Sequence, residues 1–69
     1  MELKDFGLNV AKYRIKANLS AYELSLSIEK DASYINKLEN GKVNATLKVV
    51  FKICEVLNIE PAQLFKINK

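Results

Sequence analysis

The stretch that decides the fold is residues 19–42, LSAYELSLSIEKDASYINKLENGK. Near its start is the pattern of a capping box, in which a serine hydroxyl accepts a hydrogen bond from the backbone of a glutamate three residues later and the glutamate carboxylate accepts one in return. Ser20 and Glu23 have this spacing. The pattern predicts a helix that begins at Ala21 and carries Leu24 inward.

A second helix is predicted in the same stretch. Asp31 is a suitable N-cap, and the helix is expected to run from Ala32 to about Glu39. Ile35 and Leu38, three residues apart, would form its buried side. The Asn-Gly pair that follows supplies residues that readily adopt the positive φ of a helix end. Two short helices with about three residues between them are typical of a helix-turn-helix.

Outward from this pair, the sequence predicts three more helices. One is expected over about residues 4–17, followed by Asn18, which tolerates a left-handed conformation. Another is expected over residues 47–57, with Thr46 as its N-cap. A last short helix opens at Pro61, because proline is favoured in the first turn.

Together these elements predict a compact, all-α, five-helix domain over residues 1–69, with the helix-turn-helix at about residues 20–39. The fourth helix should be the most deeply buried, because apolar residues cover a wide face of it. These residues are Leu47, Val50, Phe51, Ile53, Cys54 and Leu57. The last helix should hold Leu64 and Phe65.

The composition argues against several classes of function. The 69 residues include no histidine and one cysteine, so no histidine-based catalysis, ordinary zinc site or internal disulfide is expected. Two glycines are too few for a phosphate-binding loop. No apolar run has the roughly 18 residues of a membrane span, and no signal peptide is recognised. We therefore expect a cytoplasmic protein, not an enzyme, with no cofactor, no metal and no evident small-molecule ligand.

The formal net charge of +3 is unevenly distributed along the chain. Acidic and basic residues cancel within residues 1–29 and again within residues 53–69. Residues 30–52 hold five lysines against two acidic residues, which accounts for the whole excess. Such an excess suits a surface that faces phosphates. Lysines that merely solvate these helices would explain it equally well.

The block Tyr34-Ile-Asn-Lys-Leu-Glu-Asn-Gly-Lys42, together with Leu19-Ser20 and Glu23-Leu24-Ser25, resembles the Xre family of lambda-repressor-like, Cro/cI-type helix-turn-helix domains. The similarity covers roughly residues 6–65. It implies that the third helix lies in the DNA major groove with its N-terminal half towards the base edges. The positions that would then face bases are Ala32, Ser33, Asn36 and Lys37.

The resemblance also implies which residues contact phosphates, through backbone N–H groups and side chains. They are Tyr34, Asn40, Gly41, Lys42 and Asn44. For Tyr34, packing on the second helix with its hydroxyl in water is an equally good interpretation. The lone arginine, Arg14, is expected to form a structural ion pair with Glu39 rather than to bind DNA.

Three positions depart from the family pattern. Ala21 replaces a glutamine that commonly contacts phosphate, and Glu29-Lys30 replaces a glycine and an apolar residue in the turn. Glu29 should therefore adopt a positive φ at a cost of about 1 kcal/mol. Lys30 is expected to lay only its aliphatic stem over the core.

The sequence thus predicts a DNA-binding transcriptional regulator, most simply a repressor that occupies its operator on double-stranded DNA. The alternative is a protein-interaction module that kept the fold and lost its affinity for DNA. Operator recognition by such small units usually relies on a two-fold dimer, so a weak or DNA-assisted homodimer is expected. Its contact patch would be Leu26, or Leu64, Phe65 and Ile67 near the C-terminus.

Overall fold

The computed structural model describes residues 1–67, and the regular secondary structure in that range is all α-helix. Its helices are Leu3–Lys16 (α1), Ala21–Ser27 (α2), Tyr34–Glu39 (α3), Leu47–Leu57 (α4) and Pro61–Leu64 (α5). The predicted all-α architecture with five helices is confirmed. None of the helices in this part of the chain is long and apolar enough to cross a membrane.

Local capping signals place the starts of α2 and α4. Ser20 Oγ accepts from Glu23 N at 2.9 Å, and Glu23 Oε1 accepts from Ser20 N at 2.8 Å, which completes the predicted capping box. Thr46 Oγ1 accepts from Val49 N at 3.2 Å. Pro61 occupies the first turn of α5. Each of these bonds satisfies an N–H that has no partner inside its own helix.

The start of α3 differs from the prediction. The helix begins at Tyr34 rather than Ala32, and its N-cap is Ser33 rather than Asp31. Asp31 Oδ1 instead accepts from the Ser33 backbone N at 3.0 Å and from Ser33 Oγ at 2.7 Å. This turn engages the carboxylate just before the helix, so Ala32 and Ser33 lie in the connection rather than in α3.

The core is formed by apolar side chains from all five helices, and Val10, Leu24, Ile35, Ile53 and Leu64 are completely buried. The core also includes Cys54, as predicted from its apolar neighbours.

α4 contributes more buried residues than any other helix of the described chain, as predicted, but its apolar face is not buried throughout. Leu47 is 65% exposed and Phe51 is 54% exposed, whereas Val50, Ile53 and Leu57 are buried. α4 packs against α2 and α5, and these short helices are too small to cover every side of it. An apolar face therefore remains on the surface.

The two large apolar residues at the end of α5 also differ in exposure. Leu64 is buried, but Phe65 is 48% exposed, so the expectation that both residues are held in the core is correct only for Leu64. The Phe65 ring lies 5.4 Å from the Phe6 ring, centroid to centroid. The buried Asn9 donates through Nδ2 to the carbonyls of Leu64 and Lys66, at 2.8 Å each, and so ties α1 to the end of α5.

α1 and α3 approach each other closely at Gly7. A Cβ added at this position would lie 2.5 Å from the carbonyl oxygens of both Leu38 and Glu39. Only glycine therefore allows the C-terminal end of α3 to rest directly on α1. This contact fixes the end of α3 opposite to the turn.

Candidate nucleic-acid interface

α2 and α3 are joined by six residues, 28–33, twice the number expected, because α2 ends early, at Ser27, and α3 starts late, at Tyr34. Glu29 N donates to Leu26 O at 3.0 Å and Lys30 N donates to Ser25 O at 2.9 Å, which is the pattern of a Schellman helix end. Glu29 occupies the position that usually holds glycine and has φ +62°, as predicted. The turn thus has the hydrogen bonds of its glycine-containing counterpart together with the strain of a side chain.

The four residues predicted to face bases are all exposed. Ala32 and Ser33 lie in the turn, and Asn36 and Lys37 lie on α3, whose opposite side is formed by Ile35 and Leu38 in the core. An α-helix with its side chains is about 10–12 Å across, which is compatible with a major groove about 12 Å wide. The structure therefore presents Asn36 and Lys37 on a helix that can enter the groove, and Ala32 and Ser33 on the turn before it.

The carboxylate of Asp31 lies beside this surface. Its hydrogen bonds from the Ser33 hydroxyl and then from the Ser33 backbone N–H lower the pKa of the Asp31 carboxyl. A carboxylate can only accept, so the Ser33 hydroxyl donates its proton to Asp31. This interaction fixes the orientation of Ser33.

Tyr34 is half-buried and packs against the core. Burial raises the pKa of its hydroxyl. The ammonium of Lys30 lies 5.2 Å from the centroid of the Tyr34 ring, within the range of a cation–π contact. Lys30 was expected to contribute only its stem to the core, but it places a positive charge beside the start of α3. Their i, i+4 spacing is the only sequence signal for this contact.

The loop after α3 corrects part of the predicted phosphate site. Asn40 N donates to Asn36 O, Gly41 N donates to Leu38 O, and Lys42 N donates to Lys37 O, at 2.9 to 3.2 Å. These three N–H groups close the end of α3, so they are not available as phosphate donors. Gly41, with φ +71°, has a conformational role there. The loop's candidates for phosphate contact are therefore the side chains of the exposed Asn40, Lys42 and Asn44.

Gly41 also lies against the backbone of another lysine, Lys4. A Cβ added at Gly41 would lie 3.0 Å from the backbone nitrogen of Lys4. Lys4 is exposed and belongs to the N-terminal segment, which the charge count treated as neutral. Sequence reasoning missed it because no spacing signal links residues 37 positions apart.

Arg14 and Glu39 join α1 to the end of α3. Arg14 Nε donates to Glu39 Oε2 at 2.6 Å and Nη2 donates to Glu39 Oε1 at 3.1 Å. Nη1 donates to the carbonyl of Leu19 at 2.8 Å. The hydrogen bond from Arg14 to Glu39 raises the pKa of Arg14, and the two side chains are only 16% and 12% exposed. The guanidinium is thus used within the fold rather than at the exposed surface.

The acidic side chains and the cysteine of the described residues form neither a metal cluster nor a reactive thiol. Across residues 1–67, no group of three or more histidine, cysteine, aspartate or glutamate side chains could hold a metal ion. Burial raises the pKa of the Cys54 thiol, which keeps it protonated and poorly reactive at neutral pH.

A family model described as helix-turn-helix matches residues 10–64 of the chain. This match covers most of the sequence and includes the whole of α2, the turn and α3. The chain belongs to this helix-turn-helix family, in agreement with its resemblance to Xre-type domains.

Solved structures show the same fold. The restriction-modification controller protein C.AhdI from Aeromonas hydrophila is 33% identical, with a TM-score of 0.86, and the match covers 91% of this chain and 96% of that one. The hypothetical transcription factor NHTF from Neisseria is 21% identical, with a TM-score of 0.89 and coverage of 97% and 77%.

The clp gene regulator ClgR from Corynebacterium glutamicum is 17% identical, with a TM-score of 0.86 and coverage of 93% and 68%. At these identities, NHTF and ClgR support the fold alone. The search of curated protein sequences found no significant match to the chain.

Proposed function

We propose that the chain, a DNA-binding transcriptional regulator by its family, acts as a repressor that occupies its operator. The observation that carries this proposal is α3. It exposes Asn36 and Lys37, while its other side is buried and its end is fixed by the Arg14–Glu39 pair. A helix held this firmly is suited to reading base edges, because a correctly placed side chain loses little freedom on binding.

Within this proposal, α3 and the turn before it read the bases. Lys37 donates to guanine O6 and N7, and Asn36 forms hydrogen bonds with a base or a phosphate. The Ser33 hydroxyl, whose proton is donated to Asp31, accepts from a base amino group. Ala32 offers an apolar contact, for instance to a thymine methyl. These short side chains leave part of the specificity to the shape of the DNA.

Around this reading surface, positive charge favours DNA at every sequence. Lys30 lies beside the start of α3, and Lys42 and Lys4 lie at the loop after it. Together with the side chains of Asn40, Asn44 and Tyr34, these lysines are the proposed phosphate contacts. Each neutralised phosphate releases counterions, so binding should weaken steeply as salt is added.

Repression by occupancy requires only that the protein cover promoter DNA, and no catalytic step is needed. C.AhdI, which is 33% identical and similar over nearly its whole length, is described as a controller protein of restriction-modification. This likeness supports a regulatory role in the compartment that holds the DNA, the cytoplasm. The whole chain, as one domain that includes all five helices, would bind the promoter DNA.

A homodimer is proposed as the form that binds the operator. Each copy carries one reading helix, α3, so a two-fold site whose half-sites are about 34 Å apart calls for two copies. The exposed face of α4, with Leu47 and Phe51, offers a contact surface close to the C-terminal end. A groove of about 310 Å³ lies beside it, with Leu47 and Phe65 among its lining residues. Of the two patches predicted from the sequence, Leu26 is exposed on α2, and Phe65 and Ile67 are exposed near the C-terminal end, whereas Leu64 is buried and cannot contribute.

The test is a selection from random duplex DNA at low salt, followed by measurement of affinity against salt for the enriched duplex. We expect a two-fold symmetric site and a log–log slope of about −0.9 for each phosphate neutralised. A reporter gene with the enriched site placed over its promoter should then be repressed. Activation of the reporter would contradict the proposed mode of regulation but not DNA binding.

A protein-interaction module remains the second candidate. Two features at the start of α2 favour it. Ala21 replaces the phosphate-contacting residue of the family, and the capping box holds the negatively charged carboxylate of the exposed Glu23 at the same end of the helix, where it would repel phosphate. No enrichment in the selection and no dependence of binding on salt would support this candidate and would reject the repressor.

A further inference from the structure

Ser25 is a completely buried polar residue at the contact between α2 and α3. Its Oγ accepts a hydrogen bond from Ile35 N at 3.0 Å and donates one to Ala21 O at 2.8 Å. The directions follow from chemistry, because a backbone N–H only donates and a carbonyl only accepts. The hydroxyl is therefore held in one orientation by two different helices.

The bond to Ile35 supplies a cap that α3 does not provide for itself. Ile35 is the second residue of α3, so its N–H has no acceptor within the helix. The N-cap residue Ser33 makes no side-chain capping bond, and its backbone has φ −95° and ψ −2° rather than the extended conformation usual at an N-cap. The capping oxygen comes instead from the neighbouring helix. Ile35 is fully buried, so water cannot readily take the place of this acceptor.

Ser25 also closes the turn, because the backbone carbonyl of Ser25 accepts a hydrogen bond from Lys30 N at 2.9 Å. Ser25 thus contacts the chain where it leaves α2 and again where it enters α3. Apolar contacts between Leu24, Ile28 and Ile35 bring the two helices together but do not define direction sharply. A hydrogen bond to one particular N–H restricts the rotation and translation of α3 relative to α2.

We propose that Ser25 is a positioning residue for DNA reading, whose hydroxyl caps α3 from α2 and fixes the angle at which Asn36 and Lys37 are presented. This inference rests on the proposed function and adds to it a residue that does not face the DNA. Its expected effect is on discrimination between sequences, because base contacts depend on helix placement more sharply than phosphate contacts do.

The chain offers a matched control in Ser27. It lies on the same helix and its hydroxyl also donates to the carbonyl four residues earlier, Glu23 O, at 2.8 Å. Ser27 is exposed, so its hydroxyl does not lie at the buried contact with α3. Ser25→Ala and Ser27→Ala therefore remove the same kind of bond within α2, but only Ser25→Ala removes the bond between helices.

The experiment compares affinities for the duplex enriched by selection and for a scrambled duplex of equal composition, at a temperature where circular dichroism shows each protein folded. Ser25→Ala should lower the ratio of the two affinities by about tenfold, the equivalent of one lost hydrogen bond, with an unchanged salt slope. Ser27→Ala should leave the ratio unchanged. Hydrogen exchange at the Ile35 amide should be about tenfold or more faster in Ser25→Ala alone.

Ser25→Thr separates positioning from stability. It keeps the hydroxyl, so the affinity ratio should remain near that of the wild type, although the added methyl group lowers the melting temperature. Equal ratios for Ser25→Ala and Ser27→Ala, or equal exchange at Ile35, would overturn the role of Ser25 while leaving the regulator intact. A wild-type chain without sequence preference would overturn both proposals.

Discussion

Arg14 makes three hydrogen bonds at the junction of α1, α3 and the segment before α2. Replacing it with alanine leaves the Glu39 carboxylate and the Leu19 carbonyl without their donor. We expect Arg14→Ala to lower the free energy of unfolding by about 2–3 kcal/mol, measured by urea denaturation. Arg14→Lys should recover little, because an ammonium cannot form the two-pronged contact.

The control is a double variant, Arg14→Met with Glu39→Leu. It removes both charges and should be less destabilised than Arg14→Ala, because no buried carboxylate is left unpaired. The intrinsic DNA affinity of folded Arg14→Ala should stay close to that of the wild type. An unchanged urea midpoint for Arg14→Ala would contradict the structural role of this pair.

Lys37 tests base reading at the scale of one side chain. Lys37→Ala should reduce discrimination between the selected site and a site changed at one base pair by about 1–3 kcal/mol. The matched control is Lys66→Ala, which removes an exposed lysine near the C-terminus, away from α3. A uniform loss of affinity for all duplexes would assign Lys37 to a phosphate instead.

At the scale of elements, the turn between α2 and α3 contains a removable strain. Glu29 has φ +62°, a conformation that glycine adopts without penalty. Glu29→Gly should raise the free energy of unfolding by about 0.5–1 kcal/mol. Its ion pair with Lys52 is long, at 4.0 Å, and exposed, so its loss should matter little.

Asn58→Gly is the control for this substitution. Asn58 also has a positive φ, +55°, but asparagine tolerates this region, so the gain should be smaller than that of Glu29→Gly. Thermal melting of both variants measures the difference. Equal gains at the two sites would show that the strain at Glu29 has no special contribution.

The start of α2 gives the fold a dependence on pH. The backbone N–H and then the hydroxyl of Ser20 lower the pKa of Glu23. A lowered pKa in the folded state means that the contribution to stability is present above the ordinary pKa of glutamate, about 4.3, and is lost as pH falls through the folded-state value. The melting temperature of the wild type should therefore decrease below about pH 4.3.

Glu23→Gln isolates this contribution, because a glutamine can keep the capping box but does not titrate. The wild type should melt above Glu23→Gln at pH 7, and the difference should shrink as pH falls to 3. A constant difference across this range would exclude Glu23 as the source of the pH dependence.

Some features of the helices can be predicted from the sequence and others cannot. The starts of α2, α4 and α5 follow from signals within a few residues, and so do the left-handed Asn18 and Asn58. The start of α3 does not, because an aspartate oxygen can serve a turn or a helix equally well and tertiary packing decides between them. The exposure of Phe51 depends on what covers α4, which periodicity along one helix cannot reveal.

For the candidate site, family resemblance indicated both the exposed reading positions and the partner of Arg14. It gave no indication that Lys4 adjoins Gly41, or that Ser25 caps Ile35. Both contacts join residues at least ten positions apart and depend on how the helices pack. Such contacts are determined by the whole fold rather than by a local pattern.

At the scale of the whole molecule, the exposed face of α4 predicts self-association. Phe51→Glu places a charge on this face and should weaken the dimer at least tenfold, measured by sedimentation with and without the selected duplex. Ile15→Glu is the control, because Ile15 is 65% exposed on α1. Equal weakening by the two substitutions, or none by Phe51→Glu, would place the interface elsewhere.

The contact at Gly7 bears on which molecule deforms when protein and DNA meet. The carbonyl groups at the end of α3 lie so close to Gly7 that even one methyl group would not fit between them, and the Arg14–Glu39 pair holds the same end of α3. α3 therefore has no room to slide towards α1 in order to improve its fit. We therefore expect α3 to adjust little when DNA binds, so that most of the cost of adjustment falls on the double helix. Among operators that offer the same base contacts, affinity should then increase with the ease of bending the base-pair steps at the centre and flanks of the site.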